Sequence, residues 1–277
     1  MLSVDALLMG DIEYSITNGV ATESPITKYR SISRTGFGPL KKTANEVKSI
    51  SDTLTVHRYA NTVLTRLSAD ETSVRALSGH APTILHFATH GFYYPKEKLE
   101  EEFKKSSFIG FQCRMPELFH SGIALAGAQD TWYNESIGDS ISFEKYYSMD
   151  PASDGVLLSS EISELNLENT DLVVLSACET ALGDIKTEGV YGLQRAFKLS
   201  GVKSLIMSLW KVDDEATQKL MTAFYQYYMN GLSKREALYN TAVISDRFGT
   251  QDKTNKNVIR TWATTQEKSI QRSSRPR

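Results

Sequence analysis

Cysteine is scarce in this chain: two residues, Cys113 and Cys178, among 277. So small a number excludes a disulfide framework and a four-thiolate metal site, and it fits a reducing cytosol. Whatever chemistry these thiols perform, they perform singly. Long apolar runs are missing as well. No segment approaches the roughly 18 uninterrupted apolar residues of a membrane-spanning helix, so no membrane partner is expected. The opening MLSVDALLMGDIEY has no basic lead-in and no small-residue cleavage site, and it reads as a strand of a cytoplasmic protein rather than a leader. An excess of charge of either sign is lacking too, since 31 basic residues stand against 33 acidic ones. A chain so balanced has no polyanion footprint apart from a short basic tail at Arg272–Arg277, and nucleic acid is not an expected partner. There is no internal repeat.

What is present is an alternation of apolar runs with helical periodicity. The hydrophobic fraction of 40% over this length allows one substantial core. Residues 4–9, 83–88, 171–177 and 203–209 are short, apolar and bounded by polar or glycine residues, which is the pattern of buried strands. Helices are expected near 40–53, 70–77, 188–200, 213–230 and 233–247, the last two separated by Asn230 and Gly231. Strand and helix alternating in this way predict an α/β fold with a mainly parallel sheet covered on both faces. The expected organisation is one domain over 1–248 with a polar, aperiodic insertion at 127–153. Residues 249–277 read as an irregular tail without a strand.

Chemistry concentrates in the stretch TILHFATHGF, residues 83–92. A histidine at the end of a buried strand is open to three readings: a satisfied core residue, a metal ligand, or a catalytic base. In an open α/β sheet, reacting groups sit beyond the carboxyl ends of strands. His90 follows strand 83–88 and Cys178 follows strand 171–177, so neighbouring strands would bring imidazole and thiol to one edge. A thiol with a pKa near 8.5 is mostly protonated at neutral pH, and an adjacent imidazole supplies the thiolate. The amides of Gly91 and Cys178 are then candidates for an oxyanion hole. For a metal, His86 and His90 are four apart on one side of an extended strand. No third ligand stands at zinc-like spacing, and neither metal nor cofactor is expected.

Six ordered segments carry a family resemblance: ILHFATHG, SGIALAGA, DGVLLSSEISELNL, DLVVLSACETALGD, EGVYGLQRAFKLSGVKSLIMSLWKVDDEAT and YYMNGLSKREAL. Together they resemble the CHAT domain, a relative of the caspase-like cysteine peptidases that include separase, gingipain and the metacaspases. The resemblance implies a caspase-hemoglobinase fold and a Cys-His dyad of Cys178 and His90. It also implies that the substrate lies extended beside the strand ending in SLW, with Ser208 and Trp210 contacting it. Asp154 matches a frequently acidic position that selects a cationic side chain, or is an ordinary turn residue. The function implied is a cysteine endopeptidase acting on a protein or peptide substrate in a bacterial regulatory or defence system. A catalytically impaired module acting in protein interaction is the alternative. The family is often fused to tetratricopeptide repeats, and its closing apolar strand is not evident in 249–277. Without that strand the sheet edge beyond 203–209 would be open, and the expected partners are a repeat protein or a second copy of the chain.

Overall fold

The computed structural model describes residues 5–15, 37–93, 118, 121–130, 154–176, 188–207, 214–247 and 263–264. The expected strands are present, centred where the apolar runs lie. β1 is Ala6–Ile12, β3 is Ile84–Phe87, β7 is Leu172–Leu175 and β8 is Leu205–Met207. Others were not evident in the pattern: β2 at Asn61–Arg66, β4 at Gly91–Tyr93, β5 at Ser121–Ala124 and β6 at Val156–Leu158. The helices are α1 (Thr43–Val56), α2 (Glu71–Arg75), α3 (Ser159–Glu164), α4 (Glu188–Leu199), α5 (Asp214–Met229) and α6 (Lys234–Arg247). Local signals explain several boundaries. The Asp70 side chain accepts from Ser73 N–H and caps α2. Gly231, at φ 93°, supplies the left-handed residue that ends α5.

β1, β2, β3, β7 and β8 run parallel in the order β2-β1-β3-β7-β8. The strand order reverses at β1, with β2 on one side and β3 on the other, so the β1/β3 crevice is where such a sheet opens to a ligand. One expectation is corrected at the far edge. Ala263–Thr264 forms β9 and pairs antiparallel with β8, Ile206 opposite Thr264 and Met207 opposite Ala263. This strand escaped notice because main-chain hydrogen bonds hold an edge strand, and two residues need no apolar run. The β8 edge is therefore covered along Ile206 and Met207.

The period-two alternation of the buried strands divides the interior into two cores. Leu7, Met9, Leu85, Phe87, Val173, Leu175, Leu205 and Met207 face α4, where Leu193, Ala196 and Phe197 meet them. The intervening residues, including Leu8, Ile84, Val174 and Ile206, face α1 through Val47, Ile50 and Leu54, and α5 through Met221, Phe224 and Tyr225. Each large side chain so buried is worth about 1.5–3 kcal/mol. A second sheet, β4-β5-β6, is antiparallel and packs into the α4-side core. It begins at Gly91, so the chain passes from one sheet to the other at residues 88–90.

Candidate active site

His90 stands at that passage, 7% exposed. Its Nε2 is 2.6 Å from the carbonyl oxygen of Gly38. A carbonyl only accepts, so Nε2 carries the hydrogen, and in the neutral ring Nδ1 is the basic nitrogen. Two aromatic rings fix the imidazole plane: Tyr14 at a centroid distance of 5.0 Å and Phe37 at 5.6 Å. The residue before it is fixed as well. Thr89 Oγ1 is 2.9 Å from the Tyr14 hydroxyl and donates to the carbonyl of Ala124, whose own N–H donates to the carbonyl of His90 at 2.8 Å. Tyr14 follows β1 and His90 follows β3, so the group is built across the crevice where strand order reverses.

Gly91 takes its place on β4 opposite Ile123. Because His90 and Ala124 are joined by a ladder hydrogen bond, the next pair in antiparallel alternation is a non-bonded one. The Gly91 N–H is thereby turned away from β5, toward the side of β4 that has no strand partner among the described residues. Cys178, Ser208 and Trp210 lie outside the described residues, as do Cys113 and residues 131–153 of the expected insertion. The strand that leads to Cys178 is described as far as Ser176. Phe87 and Leu175 are register partners, and Ser176 N–H donates to the Phe87 carbonyl at 2.9 Å.

His86 is not part of this group. Its ring is fully buried on the α1 and α5 side, with Nε2 3.0 Å from Glu46 Oε1 and Nδ1 3.3 Å from the Tyr225 hydroxyl. Burial, reinforced by the nearby Glu46, holds the Tyr225 hydroxyl well above its usual pKa. The two histidines would share a side only if the strand continued to residue 90. It ends at Phe87, and the imidazoles meet different partners from different cores.

Asp154 lies buried before β6, where its Oδ1 accepts from Val156 N–H at 2.7 Å. Its carboxyl lies near that of Glu71, whose Oε2 accepts from Gly155 N–H at 3.2 Å, with Arg75 and Glu161 close by and joined at 2.6 Å. Burial, followed by the charges of Asp154 and Glu161, pushes Glu71 up to about 9. Burial also raises Asp154 and Glu161. Gly155 packs so closely on residues 126–128 that a Cβ would stand 2.3 Å from Ala128 N, and its φ of 78° suits glycine. The Asp154 bond to the amide two residues on is that of an Asx turn. Sequence reasoning missed Tyr14, Phe37 and Gly38. Tyr14 could have been found from its place after the first strand, whereas nothing local marks a carbonyl that must arrive from 52 residues away.

The family model of the CHAT domain matches residues 9–266. The chain belongs to the CHAT domain family. Tetratricopeptide repeat protein 28 of Homo sapiens and its counterpart in Mus musculus are each 27% identical to it over 209 residues. The match takes in 73% of this CHAT chain and only 8% of either relative, so the chain spans less than a tenth of their length. Among solved structures, the crystal structure of the Arg-specific cysteine proteinase gingipain R aligns with 94% of this chain and 46% of its own. The TM-score is 0.50 at 8% identity, a likeness of fold alone. The CHAT chain thus has the caspase-like α/β fold, a mainly parallel sheet flanked by helices.

Proposed function

We propose that this CHAT domain is a cysteine endopeptidase in which His90 is the base and Cys178 the nucleophile. The observation that carries the reading is register. Phe87 and Leu175 are paired across parallel neighbours, and His90 and Cys178 each follow them by three residues. The imidazole also has the tautomer a base requires, since Nε2–H donates to the Gly38 carbonyl and Nδ1 is then the basic nitrogen of the neutral ring. In the proposed reaction Nδ1 takes the thiol proton and the thiolate attacks the scissile carbonyl carbon. The amides of Gly91 and Cys178 stabilise the resulting oxyanion. The imidazolium then protonates the departing amine, and water hydrolyses the acyl-enzyme. Substrate is proposed to lie extended along the segment of Ser208 and Trp210, with Asp154 selecting a basic side chain before the scissile bond. A bacterial cytoplasmic setting belongs to the same proposal.

A second reading is favoured by the curated relatives, which are repeat proteins by name. In that reading the domain binds a tetratricopeptide-repeat partner, or another copy of itself, without turnover. Cleavage of a peptide library by the purified protein, beside its Cys178→Ala variant, separates the two. Cleavage lost in Cys178→Ala supports the peptidase. Absence of cleavage in the unaltered protein, together with saturable binding of a repeat protein, supports the second.

A further inference from the structure

The base just proposed depends on a carbonyl, Gly38, that belongs to no regular element, and something must hold it. Residues 13–15 and 37–38 are brought to the same short segment, 127–130. Gly127 N–H donates to the Glu13 carbonyl at 3.1 Å, Gln129 N–H to the Tyr14 carbonyl at 2.8 Å, and Ser15 Oγ to Asp130 Oδ1 at 2.8 Å. The fourth tie reaches the 37–38 segment. Phe37 N–H donates to Gln129 Oε1, and the next residue is Gly38, whose carbonyl receives His90 Nε2–H. Gln129 therefore grips both backbone pieces that touch the imidazole: Tyr14, through its own amide, and Phe37–Gly38, through its carboxamide oxygen.

We propose that Gln129 is a positioning residue for His90, holding the Gly38 carbonyl on Nε2–H and so fixing Nδ1 as the basic nitrogen. Among the described residues nothing stands within 4 Å of where a Cβ of Gly38 would lie, so no side-chain packing is seen there and the backbone tie at Phe37 is the contact that bears on its carbonyl. The aromatic rings of Tyr14 and Phe37 fix the imidazole plane but do not choose between its nitrogens, because a face contact is blind to which one carries hydrogen. The Gly38 carbonyl does discriminate, because it can only accept, and it is tied to Gln129 through the Phe37 N–H. This rests on His90 acting as the base, but the tautomer it specifies is a property of the resting protein and is observable without turnover.

The test compares Gln129→Leu, which removes the acceptor, with Gln129→Glu, which keeps an oxygen for Phe37 N–H. Nitrogen-15 NMR of the histidine rings, with His90→Ala to assign the signal, reads the tautomer directly. The unaltered protein and Gln129→Glu are expected to show hydrogen on Nε2, and Gln129→Leu a mixture of both forms. If cleavage is present, Gln129→Leu should lower kcat by roughly tenfold to a hundredfold and move the acid limb of its pH profile, with KM little changed. Should Gln129→Leu not fold, Gln129→Met keeps the side-chain length and takes its place. A single Nε2–H form in the folded Leu or Met variant, or hydrogen on Nδ1 in the unaltered protein, overturns the proposal. Absence of cleavage in the unaltered protein counts against the peptidase reading, while the NMR comparison still decides the role of Gln129.

Discussion

His86 and His90 are four residues apart in one segment and live in different chemical worlds. His86 lies inside strand β3, and both its ring nitrogens are engaged by side chains, Glu46 and Tyr225, that come from helices packed on that face. His90 lies beyond the strand, where a backbone carbonyl and two aromatic rings orient it. The first arrangement is closed: donor and acceptor are consumed by the fold, and the ring ties α1 and α5 to the sheet. The second fixes one nitrogen by a partner that cannot change its protonation. Residue type is therefore a poor guide to role, and the place where the strand stops is a better one.

The contrast is broken most severely by exchanging the consequences of the two substitutions. His90→Ala should lower peptide cleavage by roughly 10⁴-fold or more, because nucleophile and base act as one unit, and leave the urea midpoint nearly unchanged. His86→Ala should do the reverse. It leaves the Glu46 carboxylate buried without its imidazole and opens a cavity, and a loss of about 3 kcal/mol is expected in urea unfolding. A destabilised but chemically normal His90→Ala protein, or an inactive and fully stable His86→Ala protein, would erase the distinction.

The Glu71–Asp154 pair extends the closed kind of network to a second place and gives it a pH signature. The folded protein retains the Glu71 proton up to about 9, whereas the unfolded chain releases it near the ordinary 4.5. The folded state binds more protons between these values, so this stabilisation is full below pH 4.5 and is lost as pH rises toward 9. The thermal unfolding temperature should accordingly fall from pH 5 to pH 9, and Glu71→Gln, which removes the titration, should flatten that slope. An unchanged slope in Glu71→Gln would place the titrating group elsewhere.

The smallest expected effect decides which kind of place Asp154 occupies. If it selects substrate, Asp154→Asn should reduce cleavage after Arg relative to Leu while the fold persists. An unaltered Arg-to-Leu ratio assigns it wholly to the turn before β6.

How much of this was legible in the sequence differs from element to element. The strands β1, β3, β7 and β8 announced themselves because both faces are buried, so each is a continuous apolar run. β2, an edge strand with its side chains only half-buried, mixes Asn61 and Thr62 with Val63 and Leu64, and its apolar signal is diluted. β9 is held by main-chain pairing, which side-chain pattern does not report. At the site, His90 could be read from its position after a strand. The Gly38 carbonyl and the Gln129 oxygen could not, since a backbone acceptor has no residue signature and its partner is remote in the chain. Asp154 shows a subtler difficulty. Its motif position suggested substrate, yet its neighbours Glu71 and Glu161 are brought to it only by folding.

The central claim is that His90 activates Cys178. The most direct measurement is covalent labelling of Cys178 by a thiol-directed peptidyl probe, followed by mass spectrometry across pH 5 to 9 in the unaltered protein and in His90→Ala. Rapid labelling at pH values well below the ordinary thiol range near 8.5, lost in His90→Ala while the fold persists, is the predicted result. Equal labelling in both proteins, rising only as an unassisted thiol ionises, would contradict it.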